Sequence, residues 1–380
     1  MSPGPKRRAP HCGYLPATCG PWLLAVLLLG PGVWAAPPPA AEAPAEDKDL
    51  IPFEWPSGAS RAVQILRSEH FIVYSDAEAR LARRLAQRLE STYTDVARFC
   101  RVNKFPARAL AQPLEVIFFE HPEVYHGYAA TVDFQSAGTL GFFHADTNRS
   151  VFFNSENDPR LAKVRQQIAQ AREKLERRKV AQLEGLLRSY EAQVNQMVVQ
   201  HESAHMILYN LGVHSAGAAN PMWLVEGLAM LFEPAPTDRG SGFGITNEFR
   251  LFDFREALRD GREVRQLKAE DFDRAVAAGI MVDLPTLVSD PEIWKTQGPL
   301  ANNYYAQAWA LTHYLQRRQP QPWAAYLQTI AARRPQGVVT PAEELLLFEK
   351  TFVPLDEKFT QRWANYILRL PAPRVLAKID

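Results

Sequence analysis

In His201-Glu202-Ser203-Ala204-His205, residue type and spacing together could do chemistry. Two imidazoles four residues apart share one face of an α-helix, about one turn from each other. Both can then reach a single tetrahedral metal ion, for which zinc is the usual occupant. Glu202 sits beside that face, where it can take a proton from water at the metal. The flanking Met197-Val198-Val199 and Met206-Ile207-Leu208 place the pattern in an apolar, buried helix. Further on, Asn220 is a good N-cap and Pro221 suits a first helical turn, so a second helix starts there and carries Glu226 among Leu224, Val225, Leu228 and Leu231. A carboxylate on so apolar a helix is costly to bury unless it is paired or binds metal. Two histidines and this glutamate make three protein ligands and leave a fourth position open, which is the layout of a catalytic zinc site.

H-E-x-x-H followed by the W-L-x-E-G-x-A of Trp223 to Ala229 resembles the gluzincin metallopeptidases, the class of thermolysin and the aminopeptidase N family. The closer similarity is to the secreted bacterial "peptidase MA-like" proteins, and it covers about Tyr190 to Tyr314. The resemblance implies that His201, His205 and Glu226 hold Zn2+ and that Glu202 is general base and later general acid. It also implies a peptide or protein substrate. Glu233 lies seven residues past Glu226 on the same helical face, and aminopeptidase-like sequences often have an acid there, which implies support for the metal ligands. A downstream tyrosine commonly donates to the oxyanion; its spacing before Gln307 favours Tyr305, with Tyr304 as runner-up and a merely packed tyrosine as the alternative. An upstream sheet of this class offers an edge strand to extended substrate, and the strand pair expected over 138–154 is the candidate. The fold implied is α+β: a small N-terminal α/β subdomain on a mainly helical thermolysin-like catalytic domain, with helices at the C-terminus.

Other histidines and the cysteines weigh less. Zinc peptidases with a third histidine place Gly three and His six residues past the second; Leu208 and Leu211 occupy those positions, so His214 is expected in a loop or at the surface. His313 reads as packing. Cys100 falls on an apolar helical face and reads as a small core residue. Cys12 and Cys19 lie within the leader expected over residues 1–35 and leave with it, so Cys100 remains alone and there is no internal disulfide framework.

The elements that must position the site follow from pattern. Residues 1–35 read as a signal peptide, with Lys6-Arg7-Arg8 before the apolar run Trp22 to Leu29 and small residues at 33–35. That run is short for a bilayer, so a secreted or periplasmic protein with no stable membrane span is expected. The leader carries three cations and no acid, so a formal charge of +1 for the 380 residues becomes −2 without it, and nothing suggests nucleic acid. Residues 36–60 form a Pro/Ala-rich linker. An α/β subdomain follows over 61–157: a strand at 70–74, a helix capped by Asp76, a buried strand at 114–119, a short helix, and the strand pair. Residues 158–316 form the catalytic helical region and 317–380 the C-terminal helices. Between Arg160 and Gln193 nine Lys/Arg face four Asp/Glu, which reads as a solvated helix or helical hairpin rather than a nucleic-acid or membrane surface. Arg177-Arg178-Lys179 interrupts its apolar stripe, and rod and hairpin both remain open.

Two other functions are compatible with the residues. One is a zinc-containing binding or scaffold protein without turnover; the other is a zinc hydrolase of a non-peptide amide. An intact Glu202 argues against the first, because a structural zinc site needs no base and closes its fourth position. Oligomeric state is not encoded in any pattern found.

Overall fold

The computed structural model describes residues 55–215, 217–234, 242–296 and 298–371; the expected leader and most of the expected linker lie outside them. Five strands form one sheet in the order β1-β2-β3-β5-β4. They are β1 (Gln64–Arg67), β2 (Phe71–Ser75), β3 (Leu114–Phe119), β4 (Gly141–His144) and β5 (Arg149–Phe153). The pairs β2–β3 and β3–β5 are parallel, while β1–β2 and β4–β5 are antiparallel. The near-continuous apolar runs of β2 and β3 follow from this placement, since inner parallel strands are covered on both faces. β4, from the expected strand pair, is an edge.

Helices α1 (Ala79–Val102) and α2 (Pro122–Thr131) belong to the same unit. Alternation along β4 sorts the layers. Phe142 meets Tyr125 of α2, with ring centroids 5.6 Å apart, whereas a Cβ on Gly141 would point the other way and touch Val198. The face opposite α2 is therefore covered by the long helix that carries Val198, with α1 packed beside it. The cap expected of Asp76 does not form: α1 starts after Glu78, which makes no side-chain cap. Asp76 is fully buried and instead accepts the backbone N–H groups of Ser60 and Glu120, each at 2.8 Å. The Glu120 amide, directly after β3, and the Ser60 amide, ahead of β1, take the two oxygens of this buried carboxylate, which must be satisfied by some donor.

The charged stretch resolves as a hairpin of α3 (Ala162–Glu173) and α4 (Arg177–Asn210). The turn falls at Leu175, in the left-handed region at φ 56°, just before the basic triplet. α4 runs unbroken into the two histidines. It ends at Gly212, φ 79°, where Val213 N–H returns to Leu208 O at 2.9 Å and Gly212 N–H to Tyr209 O at 3.1 Å. This left-handed glycine closure satisfies carbonyls the helix end would otherwise leave free.

Two corrections concern the next helix, α5 (Met222–Met230). Asn220 does not cap it; its side chain ties the preceding loop, accepting from Ser215 N–H at 3.0 Å and donating to Ser215 O at 2.9 Å. Pro221 takes the cap position with no side-chain bond. The helix also stops at Met230, so Glu233 lies past its end rather than on a continuing face. Then come α6 (Glu248–Arg259), α7 (Glu270–Ala277), α8 (Leu284–Ser289), α9 (Pro299–Arg318), α10 (Pro320–Ala331), α11 (Pro341–Thr351) and α12 (Glu357–Leu368). The architecture is α+β, and one hydrophobic core continues from the sheet through α4, α5 and α9 to α12. Among the described residues no helix is long and apolar enough to cross a membrane.

Candidate metal centre

His201 and His205 project from α4 and Glu226 from α5, and all three are buried. The two Nε2 atoms lie 3.0 Å apart. Glu226 Oε2 is 3.2 Å from His201 Nε2 and 3.5 Å from His205 Nε2. A tetrahedral zinc ion with N/O ligands at roughly 2.0–2.1 Å separates neighbouring donors by about 3.3 Å, so this triangle has the right size. The donor set also fits: two imidazoles and a carboxylate from adjacent helices, converging on one point with little solvent. The group could hold a metal ion.

The outer nitrogen of His201 is fixed. Its Nδ1 lies 2.9 Å from Glu233 Oε1, and a carboxylate can only accept, so Nδ1 carries a proton and Nε2 is the nitrogen turned to Glu226 and His205. Glu233 in turn accepts from Asn247 Nδ2 at 2.6 Å, and from Arg250 Nε at 3.0 Å and Nη2 at 2.6 Å. The expected support from Glu233 is present, though not by way of helical continuity. Burial opposes charge on Glu233, but the Arg250 guanidinium and the bond from His201 hold its carboxyl down at about 2. Burial likewise disfavours the His201 imidazolium; its bonds to Glu226 and Glu233 outweigh that and raise it to about 10. Burial works against the Glu226 carboxylate too, and the two histidines overcome it, holding the group well below the usual carboxylate range.

Glu202 faces the sheet. Its Oε2 accepts the backbone N–H of Phe143 on β4 at 3.1 Å, and its carbonyl accepts from Ser150 Oγ on β5 at 3.2 Å. Burial pushes its carboxyl pKa up, against the pull of both histidines. Tyr305 comes in from α9, buried, edge-on to Trp294 at 5.7 Å and with the Arg250 guanidinium 5.8 Å from its ring centre. Its hydroxyl pKa is driven far up by burial first, then by the Glu226 and Glu202 carboxylates, which act on it from across the centre. Tyr304, the runner-up, is buried on the same helix, its side chain leaving the axis about 100° away from that of Tyr305.

Gly227 explains how α9 comes so close. A Cβ there would lie 2.1 Å from Thr312 Oγ1 and 2.9 Å from the Ala308 carbonyl, so only glycine lets the two helices touch. The glycine next to the liganding glutamate thus serves the approach of the helix that carries Tyr305.

The remaining singled-out residues sort by burial. Cys100 is a core residue whose thiol burial pushes up to about 11. His313 packs between Trp309 and Tyr366, its Nδ1 3.3 Å from the Tyr366 hydroxyl. His214 lies in a loop but not at the surface. The turn at Gly212 folds it inward, where it is fully buried, and burial, then the neighbouring His205, depress it to about 3.

Asn247, Arg250 and the Phe143 amide were missed by sequence reasoning. One signal for Arg250 exists: an arginine inside Phe249-Arg250-Leu251-Phe252 needs a buried acid. A backbone amide from a strand far upstream leaves no such signal.

A family model described as "Protein of unknown function (DUF1570)" matches residues 195–337, less than half of the chain. The match takes in both histidines, Glu226, Glu233, Arg250 and Tyr305, and excludes the sheet. None of the curated proteins compared matches the chain.

Proposed function

We propose that this protein is an exported zinc-dependent metallopeptidase of gluzincin type. The observation that carries the reading is the convergence of His201, His205 and Glu226 on one point at 3.0–3.5 Å with Glu202 alongside. A bound zinc ion would supply Lewis-acid polarisation of the scissile carbonyl and of the attacking water. The chain's own groups do the rest. Glu202, oriented by the Phe143 amide, accepts a proton from the water and returns it to the leaving amine. Its raised pKa favours that return. The Tyr305 hydroxyl donates to the developing oxyanion, an interaction worth roughly 3 kcal/mol at comparable donors. Glu233, itself held by Arg250 and Asn247, keeps the proton on His201 Nδ1 and the ring in register. β4, as an edge strand beside Glu202, gives an extended peptide a backbone to pair with. The leader pattern in residues 1–35 supports export.

The mature protein, purified with zinc present, should contain about one zinc per chain by elemental analysis. It should also cleave members of a mixed peptide library. Glu202→Gln should keep zinc and fold and lose cleavage. Absence of zinc, or turnover by the Gln variant equal to the parent, overturns the reading.

A further inference from the structure

The two liganding imidazoles are supported unequally. His201 Nδ1 is held by Glu233 at 2.9 Å, whereas His205 Nδ1 is buried with no hydrogen-bond partner among the described residues. A liganding histidine whose outer nitrogen is unheld has neither its tautomer nor its ring angle fixed. The same side of the centre holds another anomaly. His214 is fully buried, and neither of its ring nitrogens has a hydrogen-bond partner among the described residues. Its backbone places it there: after Gly212 the chain turns back, and His214 N–H reaches the Leu208 carbonyl at 3.4 Å, on the α4 turn directly following His205. The charge of His205 acts on the His214 ring.

Buried polar atoms are almost always satisfied by protein or by internal water, and three of those without a protein partner among the described residues belong to His205 on α4 and to His214 on the turn that closes α4. Water held in such a place needs at least two polar partners, which the two rings supply. We propose that His214 is the positioning residue of His205, holding its Nδ1 proton through buried water as Glu233 holds His201 directly. In that arrangement His205 Nδ1–H donates to the water, the water donates to an unprotonated nitrogen of His214, and His205 Nε2 is left free for the metal. A neutral ring can serve here as a carboxylate serves on the other side, because the water and not the ring accepts the proton.

The inference rests on the metal-centre reading, and its test separates the two. Zinc-free wild type, His214→Leu and His214→Gln are titrated with zinc against a chromophoric chelator, and each zinc-free form is melted. His214→Leu should bind zinc about 10- to 100-fold more weakly, the usual effect of losing an outer partner of a ligand. Its zinc-free form should still melt as a cooperatively folded protein, so that weaker binding is read from the site and not from unfolding. His214→Gln, which keeps a donor and an acceptor, should recover most of the affinity. Leucine-variant affinity within twofold of wild type overturns the inference alone; absence of zinc uptake by wild type overturns it together with the proposed function. If the leucine variant does not fold, nuclear magnetic resonance of the zinc-loaded wild type decides. The His205 Nδ1 proton should show a cross-peak to long-lived water and to the His214 ring, and a missing cross-peak overturns the proposal.

Discussion

Arg250 is linked to the candidate metal centre only through Glu233, which bonds both it and His201. Its guanidinium makes two bonds to Glu233, and both side chains are almost wholly buried. Removing one member of such a pair strands the other charge, which costs about 3–5 kcal/mol. Arg250→Met should therefore lower the denaturation midpoint of the zinc-free protein sharply. Replacing both members, in Arg250→Met with Glu233→Leu, should restore much of that stability, yet leave zinc affinity about 10- to 100-fold down because His201 Nδ1 has lost its acceptor. Denaturant melts and chelator competition on the same samples distinguish the two effects. Tyr305 poses a different question at the same scale. Tyr305→Phe removes one hydroxyl and little packing, so kcat should fall about 100-fold or more while KM stays close to that of the parent. An unaltered kcat would hand the oxyanion to another donor.

Between elements, the arrangement is set by a few close approaches. The β4–β5 hairpin is seated on α4 at three levels: Gly141 against Val198, Ser150 Oγ on the Glu202 carbonyl, and a reciprocal amide pair of Asn148 and Asn210 at 3.0 and 2.7 Å. Those contacts fix the height of the edge strand over Glu202. On the other side of the centre, α5 meets α9 backbone to side chain at Gly227. Gly227→Ala should force the helices apart and destabilise the protein by about 1–3 kcal/mol, the usual range for overpacking. Adding Thr312→Ala should recover only part of the loss, because the Ala308 carbonyl, 2.9 Å from the new Cβ, is backbone and cannot be trimmed. Full recovery, measured by thermal melts, would show that the side chain alone set the spacing.

Across the whole molecule, the C-terminal helices brace the loop that joins the two liganding helices. Ser215 Oγ donates to the Arg333 carbonyl at 2.7 Å, Gln336 N–H donates to the Gly217 carbonyl at 2.7 Å, and Arg333 pairs with Glu344 at 2.8 Å. Trp223, three residues before Glu226, packs against Tyr326 and Phe348. The same C-terminal layer encloses His313, which burial, then Arg317, depress to about 4. An imidazole that titrates near 6.5 when unfolded and about 4 when folded binds fewer protons in the native state between those values. Its contribution is complete above pH ~6.5 and drains away as pH falls toward ~4, on the order of 3 kcal/mol in all. Melting temperature should drop over that window, and His313→Gln should flatten the drop; an identical pH profile in the variant would remove His313 as its source.

The convergence of His201, His205 and Glu226 was legible in the chain because local geometry decides most of it. A spacing of four residues on a helix brings His201 and His205 together whatever the rest of the fold does, and an acid within the apolar Met222–Met230 helix has few tolerable destinations. The strands β2 and β3 were legible for a similar reason, since inner parallel strands must be apolar throughout. What periodicity could not supply were partners chosen across long stretches of chain. Asp76 was claimed by strand amides and not by its helix, Glu233 reached His201 from beyond a helix that had already ended, and His214 was turned inward by one left-handed glycine. Buried polar groups bond to whatever the packed chain brings within about 3 Å, and a sequence specifies that neighbour only through the packing of everything else.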